Sequence, residues 1–110
     1  MANVNKVIRK PVHIDIGDGR QRELKYTLNS FALMEDKYGT IDDAMEAMEK
    51  GSIKAVRFAL WAGLVNEEIE LTEEYVGSMI DLSELESIAT KMNEAMIGDL
   101  PEQVTNQNPN

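Results

Sequence analysis

Few side chains in this sequence could make or break a covalent bond. His13 is the one histidine, set between Val12 and Ile14 in a run that alternates apolar and polar residues. That spacing puts its imidazole on the polar face of a strand, and no second ligand or base lies nearby to build a metal site or a proton relay. Adjacent carboxylates occur at Glu35/Asp36, Asp42/Asp43, Glu67/Glu68 and Glu73/Glu74. Such pairs do acid and base work only when one member is forced into an apolar or shared site. At helix starts they serve as dipole partners and solvated faces. Asp15-Ile16-Gly17-Asp18-Gly19 lacks the spaced ligands and closing Glu of a calcium loop. Gly17-Asp18-Gly19 also lacks the Lys-Ser/Thr and helix start of a phosphate loop. The serines at 30, 52, 78, 83 and 87 sit in no nucleophile setting. With no cysteine, disulfides, thiolate metal sites and cysteine nucleophiles are excluded together. The expectation is a protein without catalytic, cofactor-binding or metal-ligating residues, and not an enzyme.

Recognition is a different matter. Six internal methionines, at 34, 45, 48, 79, 92 and 96, all fall in segments with helical periodicity. Thioether side chains are flexible and polarisable, so methionine-lined grooves accept varied helical partners. Core filling is the plainer use of each. Met92 and Met96, one turn apart before a polar tail, are the preferred exception. Phe58, Trp61 and Leu64 belong to the most apolar segment and join them as candidate partner-binding residues, although Trp61 suits a core position as well.

The elements that must position these residues follow from periodicity. Val12, Ile14 and Ile16 alternate with His13 and Asp15, Gly17-Asp18-Gly19 reverses the chain, and Leu24, Tyr26 and Leu28 alternate again. This is the pattern of a β-hairpin. From about residue 29 the period becomes helical. Thr27 or Asn29 can cap a first helix carrying Phe31, Met34 and Tyr38, and Gly39 ends it. A short second helix shows Ile41, Met45 and Met48 before Gly51. Ser52 caps a third, Ile53 to about Val65, which is apolar on more than one face and so is a central core element or partly an interface. Thr72 opens a fourth with Tyr75, Val76, Met79 and Ile80. Asp81 and Glu84 have the spacing of a capping box for a fifth, with a stripe of Leu82, Leu85, Ile88, Met92 and Met96. The expected fold is α+β and predominantly helical: an N-terminal β-hairpin followed by four to five short α-helices. It comprises a flexible arm over 1–11, a single domain over 12–98 and a disordered polar tail over 99–110.

The net charge of −9 is unevenly placed. Residues 1–30 carry six basic and three acidic side chains, whereas residues 31–110 carry five basic and seventeen acidic ones. An acidic helical body repels phosphate backbones, which argues against nucleic acid as a partner. The longest apolar run, Val56 to Val65, is broken by Arg57 and is too short to span a membrane. The first ten residues lack the apolar core of a signal peptide. Self-association, rings included, is compatible with the apolar excess of the third helix.

The order of features resembles a known family. Leu24-Lys25-Tyr26-Thr27-Leu28 is followed by Phe31-Ala32-Leu33-Met34-Glu35-Asp36-Lys37-Tyr38-Gly39 and Ile41-Asp42-Asp43-Ala44. Phe58-Ala59-Leu60-Trp61-Ala62-Gly63-Leu64, Leu71-Thr72-Glu73-Glu74 and a leucine-rich last helix complete the series. Over residues 12–98 this is similar to the tail assembly chaperones of long-tailed bacteriophages and prophages, and to those of gene-transfer agents. The resemblance implies a protein in the cytoplasm of the bacterial host that binds the tape measure protein. It also implies promotion of tail-tube assembly, with the tail-tube protein as a further partner, and absence from the mature virion. Many members also exist in a longer form made by ribosomal frameshifting near the end of the short one. Two other roles fit the composition: a structural tail or head–tail connector subunit, and an acidic protein-binding regulator.

Overall fold

The computed structural model describes residues 10–99. Two short antiparallel strands, β1 (Val12–Ile14) and β2 (Arg22–Leu24), precede five helices. These are α1 (Leu28–Tyr38), α2 (Ile41–Glu49), α3 (Ile53–Leu64), α4 (Glu73–Met79) and α5 (Leu85–Asp99), the last preceded by a 3-10 turn at Leu82–Glu84. The protein is therefore α+β and predominantly helical, with an N-terminal hairpin, as its periodicity predicts. The expected arm (save Lys10 and Pro11) and the tail beyond Asp99 lie outside the described residues. No helix among the described residues is long and apolar enough to cross a membrane.

The hairpin pairs Val12 with Leu24, His13 with Glu23 and Ile14 with Arg22. Its connection is longer than a tight reversal. The Asp15 carboxylate gathers it by accepting from the N–H groups of Gly17 (2.8 Å) and Gly19 (3.1 Å). Gly17 adopts φ 118°, and a Cβ there would stand 2.6 Å from the Met79 carbonyl oxygen. The connection thus lies directly on the end of α4. Ile16 and Tyr26 continue the alternation as buried side chains although the ladder has ended.

Leu28 departs from the expected strand. It is the first residue of α1 and 84% exposed. The cause is local: Thr27 Oγ1 accepts from Ser30 N–H while Ser30 Oγ accepts from Thr27 N–H, a reciprocal cap that turns the chain into a helix. Thr40, Ser52 and Thr72 cap α2, α3 and α4 in the same way, accepting from Asp43, Ala55 and Tyr75. Asp81 does not fulfil the expected capping box, since its side chain makes no cap bond. The tight turn at Leu82–Glu84 intervenes, and α5 begins only at Leu85.

Helix α3 is the spindle, with Ala55, Phe58, Ala59, Leu60, Ala62, Gly63 and Leu64 all buried. It packs against α1, α2, α4 and β2, whereas α5 packs against β1. The seat of β2 is specific. Lys25 N–H donates to the Gly63 carbonyl (2.9 Å) and Tyr26 Oη donates to the Ala59 carbonyl (2.8 Å). A Cβ on Gly63 would lie 2.7 Å from both Leu24 Cδ1 and Tyr26 Cζ. Gly63→Ala is therefore expected to destabilise the fold by about 1–3 kcal/mol through overpacking, read as a lower urea midpoint with an unchanged slope.

Candidate binding surface

The candidate residues separate into two groups. Phe58 and Leu64 are buried in the central core and line none of the apolar hollows described below, although Leu64 lines a polar one beside the hairpin. Phe58 is enclosed by aromatic contacts with Tyr38 (centroids 6.0 Å apart) and Trp61 (5.4 Å). Trp61 is half-buried, and its indole N–H donates to the Leu71 carbonyl at 2.8 Å, fixing the connection between α3 and α4. Met92 and Met96 are also buried, yet they form the floor of an open groove opposite Met45 and Met48 of α2.

That groove is one end of a longer trough. A hollow of about 290 Å³ between Met45, Met48, Met92 and Met96 leads into one of about 410 Å³ bounded by Met48, Gly51, Leu82 and Ala89. A third, of about 490 Å³, continues between Ile53, Leu60, Val76, Ile80 and Ile88. Met48, Val56 and Ala89 are common to the first two, and Val56, Leu82 and Leu85 to the last two, so the three adjoin in a row. The trough follows the chain from Leu82 to Met96, roughly 20 Å at the helical rise. Its lining is overwhelmingly apolar, the character of recognition sites for apolar ligands and helices.

Sequence reasoning missed the rim. Ile53 is 53% exposed and Leu82 is 74% exposed, and both border the hollow of about 490 Å³. Singly exposed apolar residues are ordinary, but two flanking an apolar hollow form a patch. The signal was present in the excess apolar face of α3, where Ile53, Val56 and Leu60 follow one another at i, i+3 and i+7. Helical periodicity alone could not tell which face α5 would leave uncovered.

A second polar constellation was invisible in sequence. Arg22 is only 7% exposed, and its Nη1 and Nη2 donate to the two oxygens of Asp18, each at 3.0 Å. Its Nε donates to Glu68 at 2.9 Å. Tyr75 Oη donates to Asp18 at 2.8 Å. The cluster ties the hairpin connection to the α3–α4 connection and to α4. The Arg22 guanidinium, hydrogen-bonded to both carboxylates, holds Asp18 and Glu68 below the usual carboxylate range. The Asp18 carboxylate in turn pushes the Tyr75 phenol up. This is a latch between elements. Of the adjacent acid pairs, Glu35/Asp36 and Asp42/Asp43 are exposed, and Glu73 is engaged by Arg57 Nε at 2.9 Å. Among the described residues no three His, Asp or Glu side chains are grouped to hold a metal ion.

Depressed folded-state values give the latch a defined pH dependence. Its stabilisation is complete above the unfolded carboxylate value of about 4 and is lost as pH falls through the folded values. Asp18→Asn should therefore lower the thermal midpoint at pH 7, and the gap from wild type should close progressively below about pH 4. A gap of constant size across that range would contradict the ionic assignment.

No protein-family model, curated protein or solved structure matches the chain.

Proposed function

We propose that this protein is a tail assembly chaperone of a tailed bacteriophage or prophage, working in the cytoplasm of the bacterial host. Its client is the tape measure protein, whose apolar helical segments it covers until tail-tube subunits polymerise around them. It acts by binding rather than by catalysis, and it leaves before the particle is complete. The observation that carries this proposal is the row of adjoining apolar hollows with the exposed rims Ile53 and Leu82. An unassembled helical client needs its apolar stripe shielded reversibly, and a groove of this shape is suited to a helix.

The energetics agree with a reversible grip. Burying an exposed Ile or Leu side chain completely contributes about 1.5–3 kcal/mol, so the two rims give a few kcal/mol. Association itself costs about 4–15 kcal/mol in lost freedom. The rims must act together with the methionine end, and no single residue holds the client. The acidic exterior then keeps the complex in solution.

Co-expression with a candidate tape measure protein tests the proposal. The expected outcome is a larger soluble fraction of that protein and its co-purification with the chaperone. No gain in solubility would sink the idea. Mass spectrometry of purified particles supplies an independent check, since abundant copies there would assign the chain to the structure of the tail or connector instead.

A further inference from the structure

We infer that the trough selects an amphipathic helix of about four turns whose apolar stripe is flanked by Lys or Arg. This rests on the trough being the client site, and it adds the chemistry by which one helix is chosen over another. Length comes first. A floor of roughly 20 Å accommodates about 14 helical residues at 1.5 Å each, enough to present four apolar positions at i, i+3/i+4 and i+7 spacing.

Charge comes second. The lining residues include the carboxylates Glu49, Glu74, Asp81 and Glu86, distributed from one end of the trough to the other. All four are exposed, and none forms an ion pair among the described residues. The basic side chain in the lining, Arg57, is already engaged by Glu73 at 2.9 Å. An apolar floor between unpartnered acids favours a helix that carries its positive charges beside the stripe. It rejects one carrying acids there by like-charge repulsion.

The same feature disfavours a second copy of the chain. Residues 31–110 bring seventeen acidic side chains against five basic ones, so one copy's helices would set acid against the acidic rim of the other. The partner is therefore a different protein, positively charged where it meets this surface.

The test uses the full chain and two fluorescein-labelled 16-residue peptides with one Leu/Met stripe, flanked either by Lys or by Glu. Fluorescence anisotropy at low salt should show the Lys peptide binding at least about tenfold more tightly, with the preference shrinking toward unity near 0.5 M salt as charges are screened. Glu49→Lys with Glu86→Lys should abolish or invert the preference. Ile53→Ser with Leu82→Ser, at positions exposed in the free protein, should weaken the Lys peptide by about tenfold or more. Circular dichroism confirms that each variant stays folded.

Equal affinity for the two peptides, or no binding of either, overturns the inference. So does a dimer in sedimentation that the Ile53→Ser/Leu82→Ser pair dissociates, because a second copy then fills the trough. Likewise, tenfold tighter peptide binding after removal of residues 1–9 would assign the trough to the chain's own basic arm. Failure of the chaperone proposal is distinguishable: the charge preference would persist without any gain in solubility of the tape measure protein.

Discussion

At Gly63 the backbone of α3 comes within reach of β2, and Leu24 and Tyr26 occupy the volume that any side chain there would need. Two hydrogen bonds, from Lys25 N–H to Gly63 and from Tyr26 Oη to Ala59, secure that approach. The position of β2 fixes β1 through their ladder, and β1 carries α5. Helix α5 is therefore tied to the hairpin while its buried face joins the core. Lys91 reinforces this by donating from Nζ to the His13 carbonyl at 3.1 Å. The trough is the interval left between α5, tied to the hairpin, and α2 and α3.

Polar contacts hold the rest of the frame in register. Asn66 donates from Nδ2 to the Lys25 carbonyl and to Ser30 Oγ, and its Oδ1 accepts from Thr27 Oγ1. The end of α3 is thereby joined to the start of α1 around a buried serine. Each such bond contributes only about 1 kcal/mol net, but leaving one of these buried groups unpaired would cost more. Together with the Arg22 latch, this network fixes how the connections run, while the apolar core supplies the driving force. The buried guanidinium is better viewed as a device for orientation than as a large net source of stability.

Much of the fold was legible because its signals are local. Thr27, Thr40, Ser52 and Thr72 each precede an apolar-periodic run, and all four cap the helix that follows. Leu28 misled because alternation continued by coincidence into a capped helix start. Asp81 misled because capping-box spacing says nothing about the turn that follows it. The trough was only partly legible. Met92 and Met96 were singled out and do line the trough, whereas Phe58 and Leu64 were drawn in by their apolar setting and belong to the core. Asp18, Arg22 and Glu68 meet only after folding, and no sequence period joins residues 46 positions apart.

The two sides of the trough are held differently from the elements joined by the Arg22 latch. Among the described residues no hydrogen bond or ion pair crosses from α5 to α2 or α3, and the opposed side chains at one end are four thioethers. Such a seam has no preferred stepwise register, because its attraction is dispersion spread over soft atoms that change rotamer easily. A change in the separation of α5 from α2 and α3 would therefore break no directional bond between them.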